Sequence, residues 1–115
     1  MPSYGWVADA AGEIVGLAGM LLHGDRAELE PVAVTEAYRR RGVGRQLVDA
    51  VVGAARDEGA RRISVRPTGR NAAAIRFLQS AGFGVLARVE LQRDLDGRDR
   101  GWRPGEKVAG REFLV

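Results

Sequence analysis

At 115 residues the chain has the length of one ordinary domain, enough to bury about two-thirds of its unfolded surface and too little for a second catalytic domain. Hydrophobic residues at 45% and charged residues at 29% exclude a disordered or fibrous chain, and the absence of cysteine excludes disulfides, thiol catalysis and thiolate-bound metals. The formal charge is +3, and of the 18 basic residues all but Lys107 are arginine, which suits an anionic ligand, although a GC-rich genome gives the same bias without one.

Tyr4 to Asp9 and Ile14 to His23 read as two strands of a hairpin, joined by Ala10-Ala11-Gly12-Glu13. Ile14 to Leu22, the longest apolar stretch, is interrupted by glycine and far shorter than the ~20 residues of a spanning helix. Met1 to Trp6 lacks the layout of a signal peptide, so a cytoplasmic protein with no membrane partner is expected. Gly24-Asp25-Arg26 supplies a second turn, and Ala27 to Val34 reads as a third strand. Its parity puts Leu29 and Ala33 on one face and Glu28, Glu30, Val32 and Val34 on the other.

After a polar linker, Thr35 to Arg41, the apolar period becomes helical through Val43, Leu47, Val48, Val51, Val52 and Ala55, and Gly59 suits a left-handed cap. Arg61 to Arg66 reads as a strand stopped by Pro67. Ala74, Phe77, Leu78 and Ala81 mark a short helix closed by Gly82. Val85 to Gln92 alternates as a half-buried strand should, Asp94 to Gly110 reads as a long surface loop, and Arg111 to Val115 as a terminal strand in its own sheet or a partner's. The order β-β-β-α-β-α-β-(β) predicts a single α/β (α+β) domain over residues 1–115, with a mixed, mostly antiparallel sheet and helices on its faces.

Chemistry concentrates in Arg39-Arg40-Arg41-Gly42-Val43-Gly44, between a strand and the first turn of a helix. Backbone N–H groups there lack intrahelical partners, the helix dipole adds positive charge, and two glycines permit close approach, so a pyrophosphate fits. A Walker A loop does not occur, and the dinucleotide fingerprint needs glycine where Leu47 stands. Without further pattern, a tight strand-to-helix turn at Gly42 and Gly44 with solvated arginines is the favoured reading of the segment. His23 reads as a turn histidine, Trp6 and Trp102 as packing residues. No metal is expected.

Further pattern exists. Val32-Ala33-Val34, then Arg39 to Gly44, then Asn71-Ala72-Ala73-Ala74-Ile75-Arg76-Phe77-Leu78 with Gly82-Phe83 resembles the GNAT superfamily of N-acetyltransferases. The first block is similar to the family's R/Q-x-x-G-x-G/A acetyl-CoA motif and the second to its N-x-x-A-I-x-F-Y-x-x-x-G-F helix. The resemblance covers about Tyr4 to Leu91. It implies that the third strand splays at a bulge, where Val32, Ala33 and Val34 accept the pantetheine arm of acetyl-CoA. Backbone N–H groups across Arg40, Arg41, Gly42, Val43, Gly44 and Arg45, with Arg39 beside them, would hold the pyrophosphate. Asn71 would bond the pantetheine or cysteamine end, and Val34 N–H would polarise the thioester carbonyl. Glu28 and Glu30 are the candidates for the base that takes the amine's proton, with surface carboxylates paired to arginines as the bland alternative.

Three departures from the family pattern stand out. Leu78 occupies the usual position of an acidic tyrosine, leaving water, Tyr38 or the substrate to donate, and the strand before that helix offers Ser64 rather than a carboxylate. Family members usually begin with a strand and two helices ahead of the hairpin. The acceptor pocket is therefore expected to be open, rebuilt by Asp94 to Val115 or completed by a partner subunit in a homodimer. The expected function is N-acetyl transfer from acetyl-CoA to a small-molecule or protein amine. A non-catalytic CoA-binding module and, less favoured, a basic nucleic-acid-binding domain are the alternatives.

Overall fold

The structure is a computed structural model and describes residues 3–115; Met1 and Pro2, which begin the segment read for a signal peptide, lie outside it. The chain divides into two compact units, Met1–Arg66 and Pro67–Val115.

The first unit opens with the expected hairpin, β1 (Ser3–Ala10) and β2 (Glu13–His23). Ala11 and Gly12 both hold positive φ, 52° and 87°, the turn geometry that matches the twist of paired strands, and Asp9 Oδ1 accepts from Gly12 N–H at 2.8 Å. Then come β3 (Arg26–Leu29), β4 (Ala33–Val34), a 3-10 turn (Glu36–Tyr38), α1 (Val43–Asp57) and β5 (Arg62–Ser64). The sheet runs β1-β2-β3-β5, antiparallel except for the parallel β3–β5 pair, and β4 pairs with β2.

Helix α1 packs on β2, β1 and β4 and buries Leu47, Val48, Val51 and Ala55, while Ala18 and Met20 of β2 and Ala27 and Leu29 of β3 are buried in the sheet. Each large side chain so buried contributes roughly 1.5–3 kcal/mol. The helix ends as its glycine predicts: Gly59 sits at φ 85° and donates to Arg56 O, and Ala60 N–H reaches back to Ala55 O. These are the two bonds of a Schellman cap.

The third strand is not continuous over Ala27–Val34. Leu29 pairs with Met20 and Glu30 N–H donates to Gly19 O at 2.8 Å, but Ala33 pairs with Leu17, so Pro31 and Val32 together oppose Ala18 alone. That is a β-bulge at a proline that has no N–H to give the ladder. The extra residue inverts the parity beyond it. A Cβ on Gly16 would meet Leu47 Cδ1 at 3.0 Å, so Gly16 and its partner Val34 face α1. Ala33, expected beside buried Leu29, is exposed and shares the opposite face with Glu28 and Glu30.

In the second unit α2 spans Ala72–Ser80, two residues earlier than its apolar pattern begins, because Asn71 caps it: Asn71 Oδ1 accepts from Ala74 N–H at 3.1 Å. Its carboxyl end repeats the Schellman arrangement, with Gly82 at φ 104° and Phe83 N–H bonded to Leu78 O. Val85 to Gln92 is not a strand here. Its alternation finds no partner strand, and Val85, Leu86, Val89 and Leu91 are exposed. Asp94 to Gly110 is not wholly loop either, since β6 (Pro104–Val108) pairs with β7 (Arg111–Leu114) across a turn in which Ala109 and Gly110 repeat the positive φ of the first hairpin. The terminal strand thus lies in its own two-stranded sheet. Residues 94–102 are tied by their own charges: Arg100 holds Asp96 through two bonds of 2.8 and 2.7 Å, and Asp94 accepts from Trp102 Nε1 at 2.5 Å. The guanidinium of Arg100 holds the Asp96 carboxyl below its ordinary range. No helix of the described residues is long and apolar enough to cross a membrane.

Candidate active site

The bulge gives β4 a free edge. Thr35 N–H donates to Val15 O at 2.8 Å, so residues 33 and 35 turn their polar groups toward β2 and alternation turns the N–H and C=O of Val34 the other way. β3 has β5 on that side; β4 has no strand there among the described residues. An apolar cleft of about 250 Å³ follows the β2–β4 pairing, lined by Ile14, Val15, Gly16 and Leu17 from one strand and Ala33, Val34 and Thr35 from the other. Val32 lies in the bulge itself, half-buried.

The chain then turns into α1. Arg40 holds φ 63° and Gly42, the N-cap of α1, holds φ 81°. Turns that contain left-handed residues can aim neighbouring backbone N–H groups into one concavity, a form in which backbone binds anions. The first intrahelical bond runs from Gln46 N–H to Gly42 O at 3.0 Å, so the N–H groups of Val43 and Gly44 lie ahead of the helix ladder. Arg39, Arg40, Arg41 and Arg45 are all exposed around this turn. Arg41 lies over the Tyr38 ring at 5.1 Å, Arg45 pairs with Asp49 at 3.2 Å, and Arg39 Nε donates to Val34 O at 3.1 Å.

The two base candidates differ in their surroundings. Both are half-buried on the sheet face away from α1. Glu28 Oε1 accepts from Arg66 Nη2 and Oε2 lies 3.8 Å from His23 Nε2. Glu30 packs its stem over Gly19, where an added Cβ would stand 3.1 Å from the Glu30 Cβ, and its carboxylate has no ion-pair partner among the described residues. Val34 pairs with Gly16, Glu30 lies opposite Gly19 and Glu28 opposite Leu21. At about 3.3 Å per residue, Glu30 is about 10 Å along the sheet from Val34 and Glu28 about 17 Å.

Sequence reasoning passed over the His23–Glu28–Arg66 cluster. The register of the β2–β3 pair, which sets His23 opposite Arg26 and Leu21 opposite Glu28, was the available signal. Asn71 belongs to the second unit, where its side-chain oxygen is already the α2 cap, and Leu78 is buried there. Among the described residues no group of three or more His, Asp or Glu side chains is gathered for a metal.

Solved structures similar to this chain include acetyltransferases. An aminoglycoside N-acetyltransferase, AAC(6′)-Iy, in complex with CoA is 25% identical over 79% of this chain and 75% of its own, with a TM-score of 0.68. The ribosomal-protein-S18-alanine N-acetyltransferase from Escherichia coli is 26% identical over 70% of this chain, which spans 52% of that enzyme, with a TM-score of 0.65. A glucosamine-6-phosphate N-acetyltransferase from Arabidopsis thaliana, 14% identical with a TM-score of 0.67 over 82% of this chain and 67% of its own, shares the fold. No curated protein matches the sequence significantly. The model of the acetyltransferase (GNAT) family matches residues 1–83. With that match spanning most of its length, and with the strand bulge and the left-handed turn that opens α1, the chain belongs to the GNAT family of acetyltransferases, enzymes whose acetyl donor is acetyl-CoA.

Proposed function

We propose that this chain moves an acetyl group from acetyl-CoA to a primary amine of a small molecule or a protein, by direct attack of the amine in a ternary complex. One observation carries the reading: the free edge of Val34 and the left-handed turn at Arg40 and Gly42 lie in one short connection of the first unit. An extended, amide-bearing arm fits the free edge of β4 as an added strand would, with the apolar cleft on the β2 side of the same strand. A pyrophosphate fits the turn at the start of α1, where backbone N–H groups and exposed arginines converge. Acetyl-CoA, when bound, supplies the reactive thioester.

The residues of the chain do the rest. Val34 N–H is the donor available to a carbonyl oxygen on the β4 edge, placed to stabilise negative charge as it develops. Glu30 takes the proton of the attacking amine through a bridging water, being the nearer carboxylate and the one without an ion-pair partner among the described residues. Glu28, already bonded to Arg66, shapes the acceptor side of the same face. Leu78 has no proton to give, so the CoA sulfur leaves as a thiolate and takes its proton from water. The acceptor class is drawn broadly because similar folds serve an aminoglycoside and a ribosomal protein.

The test is turnover with a panel of amines, read by thiol release. Glu30→Gln is expected to lower kcat at neutral pH by roughly 10²–10³-fold with CoA binding intact, and Glu28→Gln by less. A larger loss in Glu28→Gln, or full activity in Glu30→Gln, contradicts the assignment.

A further inference from the structure

Arg39 stands among the arginines that flank the phosphate turn, yet its Nε–H is committed elsewhere, to the Val34 carbonyl at 3.1 Å. That carbonyl lies on the edge of β4 that faces away from β2. A strand-like arm laid along this edge needs both polar groups of Val34, the N–H as donor and the C=O as acceptor. The arginine occupies half of that pair.

We infer that Arg39 gates the β4 edge: its guanidinium closes the edge while the turn holds no phosphate, and a phosphate in the turn draws it off so that the arm can pair. The inference rests on the reading of Val34 and the Arg40–Gly42 turn as the cofactor site. The chemistry favours the exchange, because a guanidinium–phosphate contact is charge-assisted and can be bidentate, whereas the bond to the carbonyl is single and to a neutral oxygen. The geometry permits it. Arg39 is exposed, and its backbone stays fixed at φ −66° and ψ 152° with its N–H on Glu36 O, so only the side chain has to swing. Arg41 is engaged over Tyr38 and does not reproduce the contact. Arg39 then makes the site selective: a phosphate-free thioester arm meets a closed edge, and a full CoA carries the group that opens it.

The test uses calorimetric titration of the wild-type chain, Arg39→Met and Arg39→Gln with CoA, pantetheine and ADP, with circular dichroism to establish that each variant is folded. Loss of the guanidinium is expected to tighten pantetheine binding about tenfold while weakening ADP binding by a similar factor. These opposite signs are the signature of a gate. Pantetheine affinity unchanged or weakened in both folded variants, with CoA binding by the wild type intact, overturns the inference. Failure of the wild type to bind CoA at all overturns the cofactor reading, and the gate with it.

Discussion

Gly42 shows how one residue's conformational freedom serves the site. It stands at φ 81°, and a Cβ built there meets no atom within 4 Å, so the constraint is backbone strain rather than space. Gly42→Ala is therefore expected to cost about 1 kcal/mol of stability in denaturant unfolding and to leave CoA binding measurable. Gly42→Glu adds a carboxylate where a pyrophosphate belongs and is expected to abolish that binding. Wild-type affinity in Gly42→Glu removes the turn from the site. Arg40, in the same conformation at φ 63° without glycine's freedom, bears comparable strain at the same turn. At this scale the sequence was only partly readable. The arginine-glycine segment is local and visible, but Glu28 and Arg66 are 38 residues apart and only the parallel β3–β5 pairing brings them together.

The elements divide by whether their signal is local. Both helices and the first hairpin were legible because apolar spacing, caps and the Ala-Gly turn all act within a few residues. The β6–β7 hairpin closes on the same kind of two-residue turn, Ala109-Gly110, yet charged flanks hid it. Val85 to Gln92 has the alternation of a strand and is not one, since strands exist through pairing and a pattern cannot supply the partner. The bulge defeated the parity argument at Ala33 and Val34 for a similar reason: one inserted residue at Pro31 and Val32 reverses every face beyond it. Glycines in the elements give a paired test of this packing. Gly16→Ala drives a Cβ to within 3.1 Å of the Ala33 carbonyl, which β4 pairing holds in place, and is expected to destabilise by about 1–3 kcal/mol. Gly53→Ala, inside α1 with nothing within 4 Å, is expected to stabilise by about 0.5–1 kcal/mol. Equal effects of the two in urea unfolding contradict the described contact between β2 and β4.

For the whole molecule, a net charge of +3 with arginines clustered at one turn permits two kinds of anion binding that differ in their physics. A diffuse basic surface binds any polyanion and loses affinity steeply with salt. A turn of backbone amides beside a strand edge recognises one ligand by shape, through directional bonds that salt screens less. The first unit carries the second arrangement, with Val34, Arg40 and Gly42 in one continuous segment. The most direct measurement is calorimetric titration of the chain with CoA, ADP and a short RNA at low and moderate salt. CoA is expected to bind tightest, more tightly than ADP because the arm adds the β4 edge, with an affinity that falls shallowly as salt rises. Equal affinity for CoA and ADP with stronger, steeply salt-dependent binding of RNA would contradict it.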